Sequence, residues 1–174
     1  VRIKAVGSLR RQRISVADLE LLVEPRMIAA DLFGTQVPDV APIRKALEQL
    51  GTWVKGGERM MQITDLFGRV GLKLEVYLVH WPSSWHAQLA IRTGPATLGA
   101  AAMRLMKDRG FGHNDGHPFH MKTGARIDPA SEEEWFALAG LPCVKPVLRD
   151  GLGDELEHTY QRDRSARAAR FARR

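Results

Sequence analysis

The sequence predicts an α+β fold, because strand-like and helix-like patterns both occur in long, well-separated segments. Apolar and polar residues alternate with the period of a strand at 18–23 and at 72–79. Apolar residues recur at helical spacing at 42–50 and 96–109, and a glycine follows each of these segments. A mixed or antiparallel sheet covered by helices is therefore expected.

The chain length and a change of pattern set the expected domains. The 174 residues can bury one good core, or two small lobes around a cleft. After the strands the composition changes, and Thr93, Gly94 and Pro95 precede a predicted helix. We expect a first, sheet-containing domain at 1–88, a small α+β lobe at 89–150 and a basic tail at 151–174.

The charge balance favours a polyanionic partner. The chain has 26 Lys and Arg against 20 Asp and Glu, a net charge of +6, which nucleic acid fits best. Cys143 is the single cysteine, so we interpret it as a packed thiol in a reducing compartment. No apolar run approaches the roughly 18 residues that span a bilayer. We expect a soluble intracellular monomer, in the cytoplasm, a nucleoid or a viral factory.

The first elements are a strand, a turn and a second strand. A strand at about 3–6 meets Gly7 and Ser8, and the acidic strand at 18–23 ends before Pro25. A Gly-Ser turn presents backbone N–H groups and a hydroxyl that can hold a phosphate. Three arginines that could balance its charge follow within five residues: Arg10, Arg11 and Arg13. A basic hairpin loop is the alternative interpretation.

Three acidic side chains are predicted to share one face of the sheet. Asp18 and Glu20 are two residues apart, so they project from the same side of their strand. Glu75 lies on the alternating strand at 72–79, on the same face as Lys73 and Tyr77. Carboxylates held closely together can bind two Mg²⁺ ions about 4 Å apart, as phosphoryl transfer requires. A solvated strand face is the alternative.

The second half of the chain has basic and histidine-rich segments. Residues 53–63 are expected to form two strands around a glycine turn, and the helix at 96–109 has a basic face that either contacts DNA or is merely solvated. That face carries Arg104, Lys107 and Arg109. A short hairpin is expected at 111–128, where four residues suggest zinc: His113, Asp115, His117 and His120. Because no cysteine or second cluster of ligands accompanies them, we interpret the histidines as solvated.

The end of the chain is expected to contain one capped helix and a basic tail. Ser131 and Glu134 have the spacing of a capping box, and we interpret the acids at 132–134 as a surface matched to the helix dipole. The tail from 151 is either a helical or disordered segment that grips phosphates, or a solvated terminus. Its arginines are Arg162, Arg164, Arg167, Arg170, Arg173 and Arg174.

The motifs, taken in order, resemble the palm and thumb of family X DNA polymerases, which are polymerase β-like nucleotidyltransferases. Val-Gly-Ser-Leu-Arg-Arg begins at Val6, Asp-Leu-Glu at Asp18, Leu-Glu-Val at Leu74 and Thr-Gly-Pro at Thr93. Lys-Gly-Gly-Glu at 55–58 and the segment from Leu141 to Asp150 are similar to further family motifs. The resemblance implies a nucleotidyltransferase palm and a small thumb lobe, in a minimal form.

The resemblance also assigns roles to residues. It implies that Asp18, Glu20 and Glu75 hold two Mg²⁺ ions and that Lys73 contacts the primer phosphate. It implies a nucleotide-binding set of Gly7, Ser8, Arg11, Ile91, Arg92, Thr93 and Gly94, and it places Arg104 near a DNA-contacting arginine of the family, with Lys107 and Arg109 beside it. Because the family bends sharply at Thr-Gly and X-Pro bonds tolerate cis, we predict a cis Gly94–Pro95 bond.

The expected activity is DNA-directed addition of dNTPs to a primer 3′ end in short gaps of DNA. Two acids are Glu where the family has Asp, so Mn²⁺ is an alternative cofactor. Ile91, Arg92 and Met103 also depart from the family pattern. Two alternatives therefore stay open: a nucleotidyltransferase that is template-independent or acts on RNA or protein, and a catalytically weak accessory protein that binds DNA gaps.

Overall fold

The computed structural model describes residues 1–114 and 116–171, with side chains up to Arg162. Its nine strands within these residues are β1 (Arg2–Ala5), β2 (Asp18–Glu24), β3 (Met27–Ala29), β4 (Gln36–Pro38), β5 (Thr52–Gly56), β6 (Met60–Thr64), β7 (Lys73–Leu78), β8 (Phe111–Asn114) and β9 (His117–His120). Its six α-helices are α1 (Gly7–Arg10), α2 (Ala41–Leu50), α3 (Trp85–Thr93), α4 (Ala96–Asp108), α5 (Glu132–Leu138) and α6 (Leu152–Phe171). The predicted α+β class is confirmed.

Five strands form one mixed sheet in the order β1-β2-β7-β6-β5. Strands β2 and β7 are parallel, whereas the other neighbouring pairs are antiparallel. A parallel pair needs a long crossover, and the chain between β2 and β7 supplies one that contains α2, β5 and β6. The prediction of a mixed sheet is thus confirmed, and its one parallel pair carries the three predicted acids.

The two faces of this sheet have different roles. Leu74, Val76 and Leu78 of β7 pack with Leu47 of α2 in a core on one face. Because side chains alternate along a strand, Glu75 and Tyr77 lie on the opposite face. There Leu22 packs with Val79 and with Trp85 and Leu89 from α3. The predicted alternation therefore holds, and the acids lie on the face next to α1 and α3.

The second lobe has its own core of α3, α4, α5 and the first turns of α6. Trp135 and Phe136 of α5 are buried there. At the start of α6, a Cβ on Gly153 would lie 2.3 Å from the backbone nitrogen of Leu98, so α6 and α4 approach each other closely at a position that requires glycine. The expected boundary between residues 88 and 89 falls inside α3.

Three elements differ from the expectations. The Gly7-Ser8 turn is the start of the short helix α1, and 27–38 forms the β3–β4 hairpin, for which no strand was predicted. Helix α3 was not predicted at all, because its apolar residues face two different cores and leave no single stripe. The tail is helical to Phe171, while Arg173 and Arg174 lie outside the described residues.

Two further features are defined by the backbone. The Gly94–Pro95 bond is cis, as predicted, and Trp81–Pro82 is cis as well. None of the helices within the described residues combines the length and the apolar character needed to cross a membrane.

Candidate active site

The parallel pairing of β2 and β7 brings the three predicted acids together. Glu20 is directly opposite Glu75, and Asp18 is directly opposite Lys73. Residues directly opposite in neighbouring strands are about 4.8 Å apart, so the Glu20 and Glu75 backbones are adjacent. All three acids are half-buried, whereas Lys73 is exposed. The site is therefore a sheet surface with three carboxylates and a lysine at its rim.

Gly7 is packed against the carboxylate of Glu20. A Cβ at Gly7 would lie 1.5 Å from Glu20 Oε2, and the Gly7 φ is +61°, where L-residues are strained. The backbone nitrogen of Val6 also donates to the carbonyl of Glu20 at 2.9 Å. Because Gly7 lacks a side chain, the start of α1, including Ser8, can lie next to the acids.

Burial and two neighbouring acids disfavour the ionised form of Glu20. Burial raises the pKa of the Glu20 carboxyl above its ordinary value, and the Glu75 and Asp18 charges raise it further. Arg11 and Arg92 act in the opposite direction without cancelling the rise. A raised pKa means that the surroundings disfavour the ionised form, here through burial first and then through the charges of the neighbouring acids. A bound cation would relieve this repulsion, so the cluster is electrostatically suited to one.

Glu75 is held by hydrogen bonds from protein donors. Gln62 Nε2 donates to Glu75 Oε1 at 3.1 Å, and the Tyr77 hydroxyl donates to Glu75 Oε2. The guanidinium of Arg92 stacks on the Tyr77 ring, 3.9 Å from its centroid. Burial, together with the hydrogen bond to Glu75 and its charge, raises the Tyr77 pKa above its ordinary range. Tyr77 is therefore a hydrogen-bond donor at neutral pH.

The arginines after Ser8 form hydrogen bonds or ion pairs with the second lobe. Arg11 Nε donates to Asp150 Oδ1 at 3.0 Å, and Arg11 Nη1 donates to the Thr93 carbonyl. Arg13 forms an ion pair with Asp150 at 3.2 Å. Arg10 donates to the hydroxyl of Thr93. Arg11, predicted to hold a triphosphate, thus joins the two lobes in this structure.

Glu132 is the centre of a buried ionic network, so its interpretation as a surface acid was wrong. Arg10 Nη1 donates to Glu132 Oε1 at 3.0 Å, and Arg149 Nη2 donates to the same oxygen at 2.9 Å. Although burial alone would raise the Glu132 pKa, its hydrogen bond with Arg10 and the charge of Arg149 hold it below the ordinary value. Arg149 is fully buried and stacks on Phe136.

The predicted nucleotide-binding residues of the second lobe lie in different surroundings. Thr93 is buried and adjoins Arg10 and Arg11, and a Cβ at Gly94 would lie 3.0 Å from Arg11 Nη1. Ile91 packs against the core of the second lobe. Of this set, only Arg92 reaches the acids, through Tyr77 and through its charge on Glu20.

The predicted DNA-binding cations of α4 do not form one open face. Arg104 is paired with Glu157 of α6, and its guanidinium lies over the ring of Tyr160. Lys107 is exposed. Arg109 is exposed as well, and its guanidinium lies beside Gly140, where a Cβ would be 2.6 Å from Arg109 Nη1. Helix α6 therefore covers the part of the basic face that contains Arg104, which no pattern in the α4 sequence indicates.

The metal prediction has support from donor chemistry but not from arrangement. Carboxylate oxygens are the ligands that Mg²⁺ and Mn²⁺ prefer, and a bound cation would favour the ionised form of Glu20, whose pKa is raised. Within the described residues, however, no group of three His, Cys, Asp or Glu is arranged to hold a metal ion. Both oxygens of Glu75 accept hydrogen bonds from Gln62 and Tyr77. The acids fit the metal by type, and they are not assembled around one position.

The expectation that the histidines of the β8–β9 hairpin are solvated was wrong for His113 and His117, and Asp115 lies outside the described residues. His113 Nε2 and His117 Nδ1 are buried and have no hydrogen-bond partner in the described part of the chain. Burial, followed by the charge of His117, lowers the pKa of His113 to about 4. His120 packs edge-on against Phe111. His113 is therefore neutral at neutral pH.

Sequence reasoning missed Gln62, Glu132 and Asp150 as parts of this region. Gln62 could have been found, because it alternates with the apolar residues Met61 and Ile63 on a strand beside Glu75. Asp150 belongs to the closing motif that resembles the polymerase family, but nothing local indicates Arg11 as its partner. Comparison with models of known protein families and with curated proteins found no match to this chain.

Proposed function

We propose that this chain is a family X-like DNA polymerase, which adds a nucleotide to a primer 3′ end in short DNA gaps. The observation that carries the proposal is the pairing of Glu20 with Glu75 on parallel strands, with Asp18 at the same end of β2. This geometry brings acids from distant parts of the sequence to one surface. Accordingly, we propose that the five-stranded sheet is a polymerase palm and the second lobe its thumb.

The proposed roles follow from the contacts of each side chain. Asp18, Glu20 and Glu75 would hold Mg²⁺ or Mn²⁺, which supplies charge stabilisation for the phosphoryl transfer when bound. Glu75 lies at the side of the cluster nearest β6, where it would adjoin a primer 3′-hydroxyl. Lys73, exposed at the rim, is suited to a primer phosphate. Net charge of +6 would favour association with DNA.

The contacts of α1 suggest where a triphosphate would bind. Gly7 allows the backbone of α1 to approach the acids, and Ser8 is the next residue. Arg11 lies near Glu20, yet its side chain is paired with Asp150. A triphosphate would offer Arg11 several charged acceptors in exchange for this partly exposed carboxylate. We therefore propose that the nucleotide takes over Arg11 from Asp150.

Extension of a primer at a one-nucleotide DNA gap tests the proposal. The wild-type chain should incorporate the complementary dNTP with Mg²⁺ or Mn²⁺. Asp18→Asn and Glu75→Gln should each lose at least about 100-fold in rate, because they remove a metal-binding charge while keeping the side-chain shape. Glu48→Gln is the matched control, since Glu48 is exposed on α2 and lies outside the site. It should retain wild-type activity.

Two results would contradict the proposal. If no combination of metal ion and dNTP supports incorporation while DNA binding persists, the chain is a gap-binding protein instead. If the acid variants extend the primer as fast as the wild type does, the carboxylates are not the site. Parallel reactions without a template, and with rNTPs, separate a templated DNA polymerase from a template-independent or RNA-type transferase.

A further inference from the structure

The two oxygens of Glu75 accept hydrogen bonds from donors on two strands, Gln62 on β6 and Tyr77 on β7. Gln62, the donor at 3.1 Å, is on β6, whereas Glu20 is on β2 at the opposite edge of β7. The carboxylate of Glu20 contacts Gly7, which follows β1. The two glutamates are directly opposite each other on adjacent strands, but their carboxylates contact different groups.

Tyr77 is the donor that a substitution can remove most cleanly. It lies two residues after Glu75 on the same face of β7, and its hydroxyl donates to Glu75 Oε2. Its ring is fixed from the helix side by Arg92, at 3.9 Å from the centroid. Arg92 is itself oriented by Gln88, whose Oε1 accepts from Arg92 Nε at 3.4 Å. The hydroxyl therefore has one well-defined position.

We propose that Tyr77 is a positioning residue that restrains the Glu75 carboxylate through its hydroxyl, and that Glu75 leaves Tyr77 when the acids take up a divalent cation. This inference rests on the proposed function, because it assumes that Glu75 is a ligand. It explains why three carboxylates of suitable chemistry are not grouped around one position in this structure.

The energetic consequence has a definite sign. Breaking a hydrogen bond to a carboxylate opposes cation binding, so removing the hydroxyl should tighten that binding, by about tenfold. A tyrosine with only a structural role would give the opposite result, since its loss would loosen the site. Phenylalanine keeps the ring under Arg92, which preserves the stacking and the fold.

The affinity for Mn²⁺ alone, measured by isothermal titration calorimetry without nucleotide or DNA, is the first test. Tyr77→Phe should bind Mn²⁺ about tenfold more tightly than the wild type does. Tyr160→Phe is the matched control, because Tyr160 also lies under an arginine, Arg104, but is on α6 in the second lobe. Its Mn²⁺ affinity should equal that of the wild type.

A spectroscopic test reports the hydrogen bond itself. The chain has two tyrosines, so ¹³C labelling at Cζ gives two signals that the Phe variants assign. Titration with Mg²⁺, which is diamagnetic, should shift the Tyr77 signal as the hydroxyl loses Glu75. The Tyr160 signal should stay in place.

The outcomes separate this inference from the proposed function. Equal or weaker Mn²⁺ binding by Tyr77→Phe would overturn the restraint, while a loss of affinity in Glu75→Gln would leave the proposed function intact. The restraint is also overturned, and the proposed function left intact, if Mg²⁺ binds through Glu75 and the Tyr77 signal does not move. If Asp18→Asn and Glu75→Gln both keep the wild-type Mn²⁺ affinity, the acids hold no cation, and both proposals fall.

Discussion

Burial acts on two glutamates in different settings. Glu20 lies on the sheet surface with the other acids, and Glu132 lies in the ionic network that contains Arg10 and Arg149. Both glutamates are partly buried, yet the pKa of Glu20 is raised and that of Glu132 is lowered. Glu132 has direct hydrogen bonds from two arginines, whereas Glu20 has two acids as neighbours. Glu132 has its charge balanced by arginines, whereas Glu20 is buried beside two further acids, and acids with such raised pKa values cluster at functional sites.

The largest difference between the regions should appear when each glutamate loses its charge. Glu132→Gln would leave the buried Arg149 without a counter-charge and should lower the free energy of unfolding by about 3 kcal/mol. Glu20→Gln should leave it unchanged or raise it, because repulsion is removed. Urea unfolding of both variants measures this, and equal destabilisation would contradict the comparison.

Gly7→Ala should be the next largest effect. Its Cβ would overlap Glu20 Oε2, and its φ of +61° is unfavourable for alanine. We expect a loss of about 2–3 kcal/mol in stability together with loss of the activity at the site. Gly34→Ala is the control, since Gly34 has a φ of +84° but no atom within 4 Å of the new Cβ. It should lose only about 1 kcal/mol. A similar loss in both variants would mean that Glu20 simply moves aside.

The pH dependence of stability should have opposite signs in the two regions. For Glu20, the folded-state pKa is above the ordinary 4.5, so its unfavourable contribution grows as the pH rises above 4.5. For Glu132, the folded-state pKa is below 4.5, so its favourable contribution is lost as the pH falls below that value. Unfolding in EDTA from pH 3 to 7 measures both effects by comparison with Glu20→Gln and Glu132→Gln. Each variant should lose the part of the pH dependence of stability that its glutamate causes. Parallel profiles for all three proteins would refute the assignment.

The smallest effect is expected at the surface pair of Arg104 and Glu157. The side chains are 39% and 35% exposed, so solvent screens their attraction. Glu157→Gln should leave the urea midpoint unchanged within error. It should also free Arg104, so any gain in DNA affinity would be seen by fluorescence anisotropy at low salt. A clear shift in the midpoint would show that α6 depends on this pair.

Local patterns predicted the sheet and the placement of its acids well. Alternation fixes the faces of Asp18, Glu20 and Glu75, because it depends only on neighbours in the chain. The links between the lobes could not be predicted this way. Arg10 and Glu132 are 122 residues apart, and their contact depends on where α5 packs. The same applies to Arg104, whose surroundings are decided by α6.

The dual packing of α3 has a mechanical consequence. Trp85 and Leu89 belong to the core beside the sheet, while Ala87 and Ala90 belong to the core of the other lobe. If the two lobes rotate against each other, α3 has to move relative to one of the two cores against which it packs. Such a movement is easier on the side of Ala87 and Ala90, because their short methyl groups interlock least with neighbouring side chains. Such sliding would keep Arg92 above Tyr77 while the lobes turn.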